Sequence, residues 1–357
     1  MNAMKAARLH AIGDFRAENI SIPQVKGKEL LVQVGACGIC GSDIPRIFDH
    51  GTSNQKYPMV IGHEFAGTVV AVGEQANPDL LGQRGAIFPL IPCRNCDSCQ
   101  IGKYVMCSHY DYLGSRRDGG FAEYAVVPSA WNFISSGNVD TPMEALAMTE
   151  PACVAQHAIR QSGLEAGENI IIFGAGAIGI LAARWAAIFG AGEILLVDVD
   201  DRKVQFAQER GFHSINSCRC DPAEEMRKLT GGRNADVAIE GTGFSSALEG
   251  CISAVKPMGR IVMLGNPGQK QTVIEMKSHS DILRKELRII GTWNSNYSPY
   301  PINEWQYTVS MLDKGKLAVT DLITHRVSIE ALPAFCQQIR SREVSICKAI
   351  CIPGQCV

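Results

Sequence analysis

The sequence predicts an α/β protein of two domains, a mainly β module followed by a doubly wound parallel sheet, and three observations carry that expectation. Up to about residue 165 the chain is rich in glycine, proline and short alternating runs, whereas from Asn169 onward strand-like and helix-like apolar stretches take turns. One strand-to-helix junction in the second part is the glycine string GAGAIG at 174–179. The length of 357 residues, with 46% hydrophobic and 20% charged, is enough to bury a large core, most naturally in two parts. The expected boundaries are 1–155 for the first domain, 156–295 for the second and 296–357 for a tail that returns to the first.

In the first module ELLVQVGACGIC (29–40), VIGHEFAGTVVAVG (60–73) and GFAEYAVVP (120–128) read as strands parted by glycine turns. In the second, strands are expected at 170–173, 193–197, 236–240, 260–264 and 287–291, with helices at 178–189, 202–210 and 245–255 between the earlier ones. After Gly291 the alternation stops, leaving helical stretches near 304–314 and 329–341. No internal repeat and no low-complexity tract interrupts this order.

The string GAGAIG follows an apolar strand and precedes an apolar helix, the context in which GxGxxG binds a dinucleotide. Gly174 permits the tight turn, Gly176 leaves room for a pyrophosphate, and Gly179 lets helix and strand pack closely. The first helical turn, which includes Ile178, offers unpaired N–H groups to the phosphates. Asp198 stands nineteen residues after Gly179 at the end of the next strand, where its carboxylate would accept from both ribose hydroxyls and repel a 2′-phosphate, favouring NAD over NADP. Arg202 and Lys203 follow it, either close enough to soften that preference or on a solvated helix face.

Four cysteines, Cys93, Cys96, Cys99 and Cys107, fall at CxxCxxC-x7-C, a spacing that wraps sulfur around a tetrahedral ion and leaves no place for a substrate. Structural zinc is the expected occupant; an iron–sulfur cluster would want a CxxxCP ending, which is absent, and disulfides suit an oxidising compartment. The chain starts MNAMKAARLH, with no apolar leader, so a reducing cytoplasm is expected, with Cys153, Cys218, Cys220, Cys251, Cys336, Cys347, Cys351 and Cys356 as ordinary thiols. A second, open zinc site draws on distant parts: Cys40, with Cys37 as a competing candidate, the pair His63-Glu64, and Glu150. Thiolate, imidazole and carboxylate from Cys40, His63 and Glu150 would balance the ion and leave a fourth position for water or an alcohol oxygen. The formal net charge of −2 offers no field for nucleic acid, and no apolar run reaches membrane-spanning length.

Taken in order, CGICGSD, GHEFAGTVVAVG, the cysteine tetrad, the segment beginning Glu150-Pro151, the glycine string and the late Lys348 resemble the zinc-dependent medium-chain alcohol and polyol dehydrogenases over essentially the whole chain. That resemblance implies a GroES-like catalytic domain joined to a Rossmann NAD-binding domain. It implies Cys40 rather than Cys37 as the catalytic zinc ligand, with His63 beside it and Glu150 as third ligand or close neighbour. It further implies Glu64 as an ion-proximal carboxylate, Asp43 as the group orienting the histidine, and Ser42 as a substrate contact or proton carrier. The segment EPACVAQHA departs from the family's small residues after the proline, which bears on packing near His157. The implied activity is reversible NAD-linked oxidation of a secondary alcohol by a cytoplasmic homodimer or homotetramer with two zinc ions per chain.

Within the family, GSDIPRIF, YDYLGSRRDGGFAEY, ILRKEL and GTWNSNYSPYPINEW resemble dehydrogenases of sugar alcohol phosphates. A phosphate needs cationic donors, and Arg116 and Arg117 are candidates, with Arg284 and Lys285 behind them; a salt bridge is the alternative use of each arginine. Trp293, Asn294 and Tyr297 are candidates to line the polyol site. The alternatives are a dehydrogenase of a free polyol such as sorbitol or of a simple secondary alcohol, a zinc-free reductase on the same scaffold, and a non-enzymatic NAD-binding zinc protein.

Overall fold

The computed structural model describes residues 3–268 and 270–354, so Cys356 lies outside the described residues. The chain divides into two compact units, one formed by Met1–Glu150 with Asn296–Val357 and the other by Pro151–Ser295.

The first unit contains a three-stranded sheet, a seven-stranded sheet and a small two-stranded ribbon. Its strands in chain order are β1 (Ala3–Ala11), β2 (Asp14–Ser21), β3 (Leu30–Ile39), β4 (Met59–Val60), β5 (Glu64–Val72), β6 (Arg84–Ile87), β7 (Leu90–Ile91), β8 (Asp111–Tyr112), β9 (Tyr124–Val127) and β10 (Phe133–Ser135). The sequence LLVQVGACGI of β3 is buried almost throughout because strands flank it on both edges: β5 and, farther along, β18 (Lys348–Cys351), while β9 pairs with its first half. Leu30, Val32, Val34 and Cys37 of β3 meet Phe65, Phe121 and Val127 in the core. The tail therefore ends inside the first unit, with β18 antiparallel to β3 and parallel to β17 (Ile323–Val327).

The second unit is a six-stranded parallel sheet of β11 (Ile170–Phe173), β12 (Ile194–Asp198), β13 (His213–Asn216), β14 (Ala235–Glu240), β15 (Val255–Met263) and β16 (Arg288–Gly291), in the order β13-β12-β11-β14-β15-β16. Its crossovers include helices Ala177–Ile188, Asp201–Gln208 and Ser245–Ala254, each within two residues of the sequence expectation. Strand β13 and the helix Pro222–Leu229 after it are additions to that expectation. HSIN carries no apolar run, and it becomes a strand through its pairing with β12, where Leu196 faces Ser214. The helix Met276–Arg284 is also additional, and it buries none of its residues. Among the described residues no helix is long and apolar enough to cross a membrane.

Candidate metal and dinucleotide sites

The closed metal candidate is built locally. Cys93 and Cys96 precede the short helix Asp97–Gln100, Cys99 lies within it, and Cys107 follows the turn Tyr104–Met106. One sulfur from each lies within 4.8 Å of every other, the spacing a tetrahedral ion of four thiolates requires. Backbone N–H groups of Cys99 and Ser108 hold the Cys96 thiol down to about 6, whereas burial pushes Cys99 up to about 12. Cys96 is thus a ready thiolate, and Cys99 needs a cation to become one. The loop is also anchored without metal, since Arg94 lies over the Trp131 ring at 4.5 Å and the Tyr104 ring meets Trp131 edge-on at 5.3 Å.

The second candidate is assembled by the seven-stranded sheet. Cys40 leaves the end of β3, and His63 and Glu64 lead into β5, its direct neighbour, so two remote segments meet side by side. Donor atoms of Cys40, His63 and Glu64 all lie within 4.8 Å of one another, and the sulfur, nitrogen and oxygen donors suit zinc. Cys37, the competing thiol, is fully buried in the core and lies outside this set. Glu150 also lies outside the trio, in the first turn of the helix Thr149–Ser162, but adjoins it electrostatically. Burial raises its carboxyl to about 7, and it feels the charges of His63, Glu64 and Lys348.

Around these groups lie the residues that hold them. Asp43 is fully buried; its Oδ1 stands 3.5 Å from His63 Nδ1, and its Oδ2 accepts from the Cys40 backbone N–H at 3.0 Å. The same carboxylate accepts from Arg46 Nη1 at 2.6 Å, one helical turn on. Burial works against an imidazolium at His63, but Asp43 and then Cys40 outweigh it and raise His63 well above its ordinary value. Ser42, half-buried, opens the same turn. The Tyr112 hydroxyl donates to Glu150 at 3.5 Å, and its ring meets His63 edge-on at 5.9 Å. Lys348 donates to Glu64 Oε2 in a pair shielded almost completely from water. Sequence reasoning assigned no role to Arg46 or Tyr112; the i,i+3 spacing of Arg46 from Asp43 was a readable signal, whereas nothing in the sequence placed Tyr112 beside Glu150.

In the second unit β11 is followed directly by Gly174 at φ +106°, a conformation that favours glycine. A Cβ on Gly179 would collide with the Gly174 carbonyl, and one on Gly176 would meet nothing within 4 Å. The helix therefore starts tight against the strand, with Ile178 in its first turn and open space over Gly176. Asp198 ends β12 and accepts from Ala175 N–H at 2.9 Å and Val199 N–H at 2.8 Å, tying the loop to the neighbouring strand. Arg202 is exposed and bound to Asp200, the N-cap of its own helix, while Lys203 Nζ lies 3.8 Å from Asp198.

The substrate candidates are dispersed. Arg116 stacks on Tyr110 and donates to its carbonyl, and Arg117 pairs with Asp111. Both border a cavity of about 380 Å³ with Lys56 and Asp118, and no side chain of the metal trio lines it. Lys285 caps the helix Ser245–Ala254, donating to the carbonyls of Ile252, Ser253 and Val255, and Arg284 donates to Ser280. Trp293 is half-exposed, Asn294 has φ +56°, and both belong to the second unit. Tyr297, in the first unit, stacks on Phe88 at 4.2 Å and donates to the Trp131 carbonyl at 2.6 Å.

Two family models match the chain: the alcohol dehydrogenase GroES-like domain over residues 26–135 and the zinc-binding dehydrogenase over residues 177–314. Galactitol 1-phosphate 5-dehydrogenase of Escherichia coli strain K12 is 34% identical over 354 residues, covering 98% of this chain and 100% of that protein. Sorbitol dehydrogenase of Bacillus subtilis strain 168 is 30% identical over 331 residues, covering 92% of this chain and 91% of the relative. The crystal structure of galactitol-1-phosphate dehydrogenase from Escherichia coli superposes with a TM-score of 0.89 at 35% identity, covering 98% of this chain and 100% of that one. With its GroES-like β unit, its doubly wound sheet and its zinc-type donor sets, the chain belongs to the zinc-binding medium-chain alcohol dehydrogenase family.

Proposed function

We propose that this protein oxidises a secondary hydroxyl of a sugar alcohol phosphate to the ketose phosphate, reversibly, with NAD as hydride acceptor and two zinc ions per chain. The observation that carries the enzymatic reading is the convergence of Cys40, His63 and Glu64, with Glu150 adjacent, in a largely buried site. Cys40 and His63 would hold the catalytic ion with one of the two carboxylates, and Cys93, Cys96, Cys99 and Cys107 would hold the structural one. When bound, zinc supplies a Lewis acid for the substrate hydroxyl, and the nicotinamide supplies the place for the hydride.

The chain's own residues prepare that chemistry. Asp43 accepts from the Cys40 backbone and sets its charge 3.5 Å from the His63 ring, so one carboxylate faces both donors, which come from remote segments. Tyr112 orients Glu150, and Ser42, which opens the turn carrying Asp43, would accept or pass on the substrate proton. Gly174, Gly176, Ile178 and Gly179 bind the pyrophosphate, and Asp198 receives the adenosine ribose and disfavours a 2′-phosphate.

The phosphate rests on the match to galactitol 1-phosphate 5-dehydrogenase across nearly the whole chain. A free polyol is the second reading, favoured by the sorbitol dehydrogenase match and by the prior engagement of Arg116 and Arg117 with Tyr110 and Asp111. Rates with galactitol 1-phosphate, galactitol, sorbitol and 2-propanol, each with NAD and NADP, test both. The expected outcome is highest kcat/KM for the phosphorylated hexitol with NAD; equal values with and without phosphate would remove phosphate recognition.

A further inference from the structure

Lys348 is a buried cation placed in a site whose chemistry is the holding of another cation. It heads β18, and the two-step register from β18 to β3 to β5 explains how it arrives: Ile350 faces Gly38, and Gly38 faces Glu64. The side chains of Lys348 and Glu64 meet over Gly38. A Cβ at that position would collide with Glu64 Oε2 and press on Lys348 Cε at 3.0 Å and Glu64 Cβ at 3.1 Å, so β3 carries glycine where the pair needs space. The ammonium donates to Glu64 Oε2, with only 6% of the Lys348 side chain and 2% of the Glu64 side chain exposed. A buried ion pair of this kind is a poor source of stability compared with apolar packing, which directs attention to what it does for the site.

The donor count supplies the reason. Cys40, His63 and Glu64 converge, and Glu150, bound by the Tyr112 hydroxyl whose ring meets His63 edge-on, is a fourth candidate donor; a tetrahedral zinc held by four protein donors is a closed, structural site. A catalytic site keeps three and leaves one position open. We infer that Lys348 is a positioning residue that engages the Glu64 carboxylate and so prevents Glu64 and Glu150 from both entering the metal's shell, reserving one position for the substrate oxygen. This rests on the zinc dehydrogenase reading and adds to it the residue that keeps the metal centre open.

The test replaces Lys348 in the full-length protein and reads the metal directly. In Lys348→Met, which keeps length and loses charge, the freed carboxylate closes the shell. The cobalt-substituted variant then resists a chelator at least about tenfold more strongly than wild type, and its visible spectrum no longer shifts on adding imidazole; kcat/KM falls by about a hundredfold. Lys348→Arg restores the imidazole response. A Lys348→Met protein that holds cobalt no more tightly than wild type, or still responds to imidazole, overturns the inference. The double variant Lys348→Met/Glu64→Gln strands no charge and serves even if the single variant does not fold. It is expected to hold cobalt as wild type does and to respond to imidazole, and loss of the metal would make Glu64 an obligatory ligand and sink the proposal. The cobalt readings need no turnover, so a wild-type protein inactive on every alcohol defeats the functional reading separately.

Discussion

Asp198 has two separable tasks. Its Oδ1 accepts from the N–H groups of Val199 and Asp200 and its Oδ2 from that of Ala175, so it shapes the loop after β11, and in the proposed function its charge also disfavours a 2′-phosphate. Asp198→Asn keeps an acceptor for the loop and removes the charge. It is expected to raise the NADP-to-NAD ratio of kcat/KM by about tenfold, the factor equivalent to ~1.4 kcal/mol of relieved repulsion, with a smaller fall in unfolding midpoint than Asp198→Ala, because the amide oxygen keeps part of the acceptor set while its NH2 replaces the other oxygen. Asp198→Ala should show the same ratio change together with lost stability of about 1–3 kcal/mol, because the N–H groups of buried Ala175 and half-buried Asp200 lose their acceptor. Steady-state kinetics with both coenzymes and thermal unfolding of both variants separate the two tasks. Asp43 plays the corresponding part in the first unit, where one carboxylate receives Arg46 and the Cys40 backbone and faces His63. Asp43→Ala is therefore expected to lower metal affinity or activity by about 10–100-fold, which chelator competition and initial rates will show.

Among the elements, the Cys93–Cys107 loop is the one proposed to hold the structural ion. Its secondary structure is one short helix and one short 3₁₀ turn, and its attachment to the rest of the unit includes the contacts of Arg94 and Tyr104 with Trp131. Cys99→Ser should lower the unfolding midpoint by about 5–10 °C and reduce zinc content by one ion per chain, while initial rates well below the transition change little. An equal loss of rate at low temperature would give the tetrad a role in chemistry. The glycine corner and this loop were both legible from sequence for one reason: each is encoded in a contiguous string whose spacing reflects local backbone geometry. The same reasoning missed β13, because HSIN has little apolar character of its own and takes its strand conformation from the neighbouring β12. It also passed over Met276–Arg284, where no residue is fully buried and Ile282 is only partly covered by the core.

At the scale of the whole molecule, the two proposed metal sites, of different openness, should empty at different rates. Dialysis against a chelator is expected to remove the ion at Cys40 and His63 first, abolishing turnover while the fold persists, and the tetrad ion later with loss of structure; metal analysis alongside circular dichroism follows both steps. Simultaneous loss of both ions and fold would mean that the open site is structural as well. How the tail contributes is also a whole-chain matter. Lys348 stands 284 positions after Glu64 and touches it only because β18 inserts beside β3.

By itself the sequence determined the α/β class, the tetrad, the glycine corner with Asp198, and the set of side chains able to hold a second ion. Each is written either in local spacing or in residue chemistry, which survive without knowledge of long-range pairing. Only the tertiary structure decided which donors converge, drawing Glu64 into the trio with Cys40 and His63 and leaving Glu150 beside it. It also engaged Arg116 with Tyr110, Arg117 with Asp111 and Lys285 with helix carbonyls, and it joined Lys348 to Glu64. The physical reason is that a long charged side chain takes whichever partner the packed chain brings within reach, and sheet register, set by pairing between distant strands, determines that partner.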